Sequence, residues 1–162
     1  MKIIVTLSFL LFFLAESFAQ NLSSDYKSIV INRCVKEFPD KFDLSTPLNA
    51  GLSIYYIMIN GTENLWRDAS AERIKPFFQP DTPNINISQE QKEKLMNDSI
   101  KEVIIYKDSV AYFITSRSNS RYIYRSLIFE NGKWVNNGED SRNDIQSVRN
   151  LFKKCRTAYF SK

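Results

Sequence analysis

Residues 101–136 read KEVIIYKDSVAYFITSRSNSRYIYRSLIFENGKWVN, and this stretch decides the fold. Lys101 to Tyr106, Val110 to Ser116, Tyr122 to Glu130 and Lys133 to Asn136 are rich in β-branched and aromatic residues and are separated by turn residues, which predicts four consecutive strands. Asn131-Gly132 is the strongest hairpin signal in the chain, because a two-residue type I′ turn needs positive φ at both central positions. Lys107-Asp108 marks a second hairpin and Ser118-Asn119-Ser120 a third. In the second strand Val110, Tyr112 and Ile114 point to one face while Ala111 and Phe113 point to the other. A sheet with one wet face would alternate apolar and polar residues, so this meander needs a cover on each side.

Candidate covers lie on both sides of it in sequence. Downstream, Ile145, Val148, Phe152, Cys155 and Tyr159 recur at helical spacing after a Ser141/Asp144 capping signal. Upstream, Thr46-Pro47 joins a capping hydroxyl to proline at the first helical position. The segment it opens, Leu48 to Ile59, is apolar nearly all round and ends at Asn60-Gly61, as a buried helix would. A shorter helix is expected from Glu63 to about Lys75, carrying Trp66. Three prolines make 76–87 the longest irregular segment, and Ser88 with Gln91 forms a capping box for a brief polar helix. The first helix is expected from a cap at Ser23, Ser24 or Asp25 to Phe38, with Tyr26, Ile29, Val30, Cys34 and Phe38 on one face. The fold class is therefore α+β, with N-terminal helices packed on a four-stranded antiparallel meander and a C-terminal helix added.

The chain opens with Met1-Lys2, an apolar run from Ile3 to Ala15, and Ser17-Phe18-Ala19 with small residues where signal peptidase needs them. The run is shorter than the ~20 residues of a bilayer-spanning helix. Residues 1–19 are thus expected to be an export signal cleaved between Ala19 and Gln20. Residues 20–162 remain as one domain, without a membrane span, in the periplasm or outside the cell. Losing Lys2 and Glu16 with the leader keeps the net charge at +4, and the charges are interspersed, without the basic stripe of a nucleic-acid binder. Cys34 and Cys155, the two cysteines, read as one disulfide in an oxidising compartment. Closing a loop of about 120 residues, it would contribute roughly 4–5 kcal/mol in the chain-entropy model.

Chemistry is sparse. There is no histidine, which removes Ser-His-Asp and Cys-His catalysis and the ordinary neutral-pH proton shuttle. The four glycines form no phosphate-binding loop. With two cysteines and no histidine, neither a structural zinc site nor any cofactor is expected. The possible carboxylate pairs, Glu63 with Asp68 and Glu139 with Asp140, fall at a helix start and in a polar turn, where capping and solvation explain them. Asp98-Ser99 and Asp108-Ser109 read as turn chemistry beside strands. A non-enzyme is expected, and binding is the remaining role. Tyr55, Trp66, Tyr112, Tyr124 and Arg125 combine an apolar body with a polar tip and are the candidate ligand-binding residues.

The buried helix running into Asn60-Gly61, the short helix with Trp66, and Asp108-Ser109-Val110-Ala111-Tyr112-Phe113 through Leu127-Ile128-Phe129-Glu130-Asn131-Gly132-Lys133-Trp134 together resemble the nuclear transport factor 2-like superfamily over residues 47–138. The resemblance implies a cone, with helices lying against a bent sheet and a pocket at the open end. It also implies functions from isomerase or dehydratase to non-catalytic binding, the catalytic members using Asp, Tyr or His in the pocket. No such catalytic set carries over residue by residue, and the added terminal helices depart from the pattern and put the family's sheet-mediated dimer in question. Three roles are expected, in this order: an exported protein that binds a small molecule or a protein partner, an immunity or inhibitor protein acting on a secreted toxin or hydrolase, and a pocket isomerase or dehydratase.

Overall fold

The computed structural model describes residues 25–61, 64–77, 87–117 and 121–159, with side chains described as far as Lys154. The chain runs through β1 (Tyr26–Cys34), a 3-10 turn (Val35–Glu37), α1 (Pro47–Asn60), α2 (Leu65–Ala69), a second 3-10 turn (Lys75–Phe77) and α3 (Gln89–Met96). Then come β2 (Ser99–Tyr106), β3 (Val110–Ser116), β4 (Tyr122–Glu130), β5 (Lys133–Arg142) and α4 (Ile145–Tyr159). The architecture is α+β. Its five strands form one antiparallel sheet in the order β1-β2-β3-β4-β5.

Two of the three expected hairpin turns are described, and both have positive φ at their two central residues. Lys107 and Asp108 have φ of 48° and 47°, and Asn131 and Gly132 have 52° and 79°. Positive φ at both central residues matches the right-handed twist of the strands on either side. The turn at Ser118-Asn119-Ser120 lies outside the described residues.

Both faces of the sheet are covered. On one side α1 lays Leu52, Ile54 and Tyr55 against Val103, Ala111, Phe113 and Leu127. On the other, α4 lays Val148 and Phe152 against Ile104, Tyr112, Ile114 and Tyr124. The alternation along β3 thus feeds two cores, and every residue from Val110 to Thr115 is buried. The helix α1 starts where Thr46 Oγ1 accepts from the Asn49 amide (3.1 Å) and stops at Gly61, whose φ of 64° is the left-handed cap. Gly51 faces β3 so closely that a Cβ there would clash with the Phe113 ring. On the α4 side the buried Glu102 carboxylate accepts from Arg149 Nη2 (2.8 Å) and Nε (2.9 Å) and from the Ser28 hydroxyl, tying the helix to β2 and β1.

Several expectations are corrected. The segment expected as the first helix is β1, paired with β2 from Tyr26↔Tyr106 to Cys34↔Ser99, so the sheet has five strands rather than four. The run Ile29-Val30-Ile31 is β-branched and pays in χ1 freedom within a helix, and β2 offers it an open edge. The supposed helical stripe is divided accordingly: Tyr26 packs under α4, Phe38 packs on the α1 side, and Ile29 and Val30 are exposed. The expected Trp66 helix is cut to Leu65–Ala69, because Ser70 leaves it to bridge Asn136 in parallel beside β5. Glu139 and Asp140, expected in a turn, extend β5, which continues to Arg142 past a bulge opposite Ser126/Leu127. Asp144 rather than Ser141 caps α4, accepting from the Ser147 amide (2.7 Å) and hydroxyl (2.6 Å). Cys34 stands half-buried at the end of β1. The Cys155 side chain, the leader with its Ala19/Gln20 cleavage point, and most of 76–87 lie outside the described residues.

Gly51→Ala is expected to cost about 1–3 kcal/mol through overpacking against Phe113. Combined with Phe113→Leu it should cost less than the two single changes summed, since the smaller side chain vacates the space. Urea unfolding of the three variants checks both statements.

Candidate functional site

A sheet buried on both faces has little room for charge, so each charged group inside it calls for an account. On the α1 side the buried polar residues include Asp98, Arg125 and Thr115. Asp98 joins α3 to β2, and its carbonyl accepts from the Val35 amide (3.0 Å), so its backbone pins the 3-10 turn after β1. The Tyr55 hydroxyl, projecting from the centre of α1, donates to Asp98 Oδ2 (2.9 Å) and stands 3.2 Å from Thr115 Oγ1. Arg117, directly after β3, brings its Nε to within 3.3 Å of the same Oδ2. Burial pushes the Asp98 carboxyl above its ordinary value of 3.8, against the opposite pull of Tyr55 and Arg117. Burial also pushes the Tyr55 phenol up.

Arg125 continues the network behind Tyr55. It is 1% exposed and its guanidinium lies over the Tyr55 ring, 4.9 Å from the centroid. Nη2 bonds Glu139 Oε2 at 2.8 Å, while Nη1 has no hydrogen-bond partner. Arg117, Asp98, Tyr55, Arg125 and Glu139 therefore form one chain of polar contacts running beneath α1.

The Arg117 end of this chain opens onto a cleft of about 710 Å³. Its lining includes Glu90, Glu93 and Lys94 of α3 with Asp98 and Arg117, and Ile87 and Leu95 supply apolar surface. Glu90 is paired with Lys94 (2.6 Å), and burial is small for both. A second cavity, of about 150 Å³, lies between Phe38, Leu52, Tyr55 and Met96. Small-molecule sites commonly occupy ≈ 300–1,000 Å³, which selects the first.

The five candidate binding residues do not converge. Tyr55 and Arg125 touch, and Trp66 packs at the edge of the same core. Tyr112 and Tyr124 stack on each other at 4.7 Å on the opposite face, under α4, where the Tyr124 hydroxyl donates to Asp140. None of the five is among the residues lining the large cleft. Asp98 and Arg117, which do line it, escaped sequence reasoning because each flanks a strand where turn chemistry explains a polar residue. The available signal was an acid set directly before an apolar strand, Ser99–Tyr106, whose neighbours are all buried or half-buried.

Among the described residues no group of three or more His, Cys, Asp or Glu is arranged to hold a metal ion, and no helix is long and apolar enough to cross a membrane. No protein-family model, curated protein or solved structure matches the chain.

Asp98 makes stability depend on pH in a defined direction. Its folded pKa is above its unfolded one, so the native state holds the proton more tightly, and stability from this group falls as pH rises from 3.8 through the raised value. Asp98→Asn lacks this loss. Urea unfolding of both proteins between pH 3 and 8 is expected to show the Asn variant gaining on the wild type as pH rises, whereas a constant difference would contradict the assignment.

Proposed function

We propose that this protein is an exported, non-catalytic binding protein that takes a small molecule in the cleft between α3 and Arg117. The observation that carries the proposal is the cleft itself: about 710 Å³, with apolar wall at Ile87 and Leu95 and the Asp98–Arg117 pair at its inner side. A concave site with partial apolar lining and a few convergent polar groups is what small-ligand recognition requires. Export follows from the leader at residues 1–19 and single-domain organisation from residues 20–162, with Cys34 and Cys155 as the proposed disulfide. The finer cone arrangement belongs to the same proposal, since α1 packed against one face of the antiparallel meander is in keeping with the nuclear transport factor 2-like resemblance.

One observation favours a second reading, a pocket isomerase or dehydratase. Asp98 is a buried carboxyl with a raised pKa, bonded to a tyrosine and bordering a cavity, the environment in which a carboxyl becomes a general acid or base near neutral pH. Against it, Oδ2 already receives two donors, which suits a structural joint better than a group free to exchange its proton.

A fragment screen followed by NMR should move the amides of Leu95, Asn97 and Arg117 together. Leu95→Trp, which crowds the apolar wall of the cleft, is expected to weaken those shifts while leaving the spectrum of the α4 face unchanged. A ligand recovered chemically intact after incubation supports binding. One altered by the wild type and left intact by Asp98→Asn would transfer the assignment to the enzyme.

A further inference from the structure

Among the described residues five charged ones line the cleft, Glu90, Glu93, Lys94, Asp98 and Arg117, and each has a side-chain partner. Lys94 is taken by Glu90 at 2.6 Å, and Glu93 accepts from the Gln89 amide at 3.2 Å. Asn97 receives Lys36 at 2.8 Å. Asp98 is occupied by Tyr55 and Arg117. Arg117 differs in keeping a planar edge of N–H groups outside its ion pair. Its side chain is 42% exposed, and among the described residues its one side-chain partner is Asp98, bonded through Nε. A guanidinium carries five N–H groups in a rigid plane, so a bond at Nε leaves the edge formed by the two terminal nitrogens for an external acceptor.

Asp98 makes that edge directional. Tyr55 donates to the same carboxylate oxygen, so the partner of Arg117 Nε is itself anchored to the core. Paired terminal nitrogens match the two oxygens of a carboxylate in bidentate geometry. A phosphate monoester would present similar oxygens with a charge near −2. Glu93 on the α3 wall, whose partner is the neutral Gln89 side chain, opposes a second negative charge more than it opposes one. Ile87 and Leu95 offer contact to an apolar body.

We propose that the cleft recognises a small organic monocarboxylate, its carboxylate on the Nη1/Nη2 edge of Arg117 and its apolar body against Ile87 and Leu95. This rests on the reading of the cleft as the binding site. Asp98 serves here as a positioning residue.

The purified protein is titrated with hexanoate and benzoate, with hexanamide, benzamide and phenyl phosphate as counterparts, and followed by NMR at the Arg117 Nε–H and the Leu95 amide. The carboxylates are expected to bind at least tenfold more tightly than the amides or the phosphate. Arg117→Gln should lose that preference, and Arg117→Lys, which keeps the charge without the fork, should retain only part of it. Asp98→Asn should weaken carboxylate binding several-fold with little effect on the amides, a split that simple loss of fold would not produce. Each variant's own spectrum reports whether it is folded. Equal affinity for carboxylates and amides, or undiminished carboxylate binding by Arg117→Gln, overturns the carboxylate assignment while leaving the cleft as a site. If no probe moves Leu95 or Arg117, both readings fall.

Discussion

The constraint on which the rest depends is that β3 is apolar on both faces. Val110, Tyr112 and Ile114 must be dried from one side and Ala111 and Phe113 from the other, so neither helix alone completes the domain. At roughly 25 cal/mol for each Å² of apolar surface removed from water, exposing either face would forfeit several side chains' worth of burial, each about 1.5–3 kcal/mol. The order of elements follows: a helix before the meander, a helix after it, and the sheet between them. The close approach of Gly51 to Phe113 shows how tightly one cover is seated.

Once the two covers are in place, the charges they trap become informative. Glu102 on the α4 side is matched by Arg149 and Ser28, and that pairing secures the terminal helix. The α1 side is different in kind. There the polar contacts form a chain from Glu139 at the far edge to Arg117 at the cleft, with Arg125 Nη1 left without a partner. A purely structural network would gain from being closed or from being replaced by apolar residues. This one keeps an open end at a cleft, and that asymmetry connects the core to the proposed function.

Rigid support also bears on how the proposed site could rest on so short a helix as α3. Its Ser88 cap and Gln91 box satisfy its first turn, and Asp98, two residues beyond it, is fastened to the 3-10 turn after β1 through Val35 and to α1 through Tyr55. The cleft wall is thereby referenced to both the sheet and the main helix, the arrangement in which recognition groups stay where a ligand needs them.

The sequence by itself determined whatever depends on neighbours a few residues away: the hairpins at Lys107-Asp108 and Asn131-Gly132, the Thr46-Pro47 and Ser88 helix starts, the Gly61 stop, and the two-faced burial of β3. These are local backbone and period-two effects, and they were legible without coordinates. Tertiary structure alone decided that 26–34 is a strand, since its apolar residues fit either a helical or an extended period until the β2 edge is present to pair with. It alone separated Tyr112 and Tyr124 from Tyr55 and Arg125, because residues alike in chemistry were divided by the parity of their strands and by the sheet between them. It alone brought Tyr55, Asp98 and Arg117 together, residues far apart in sequence whose meeting depends on how α1 crosses the sheet. Local chemistry has a range of a few residues, and a site assembled across an interface between layers has no signature within that range.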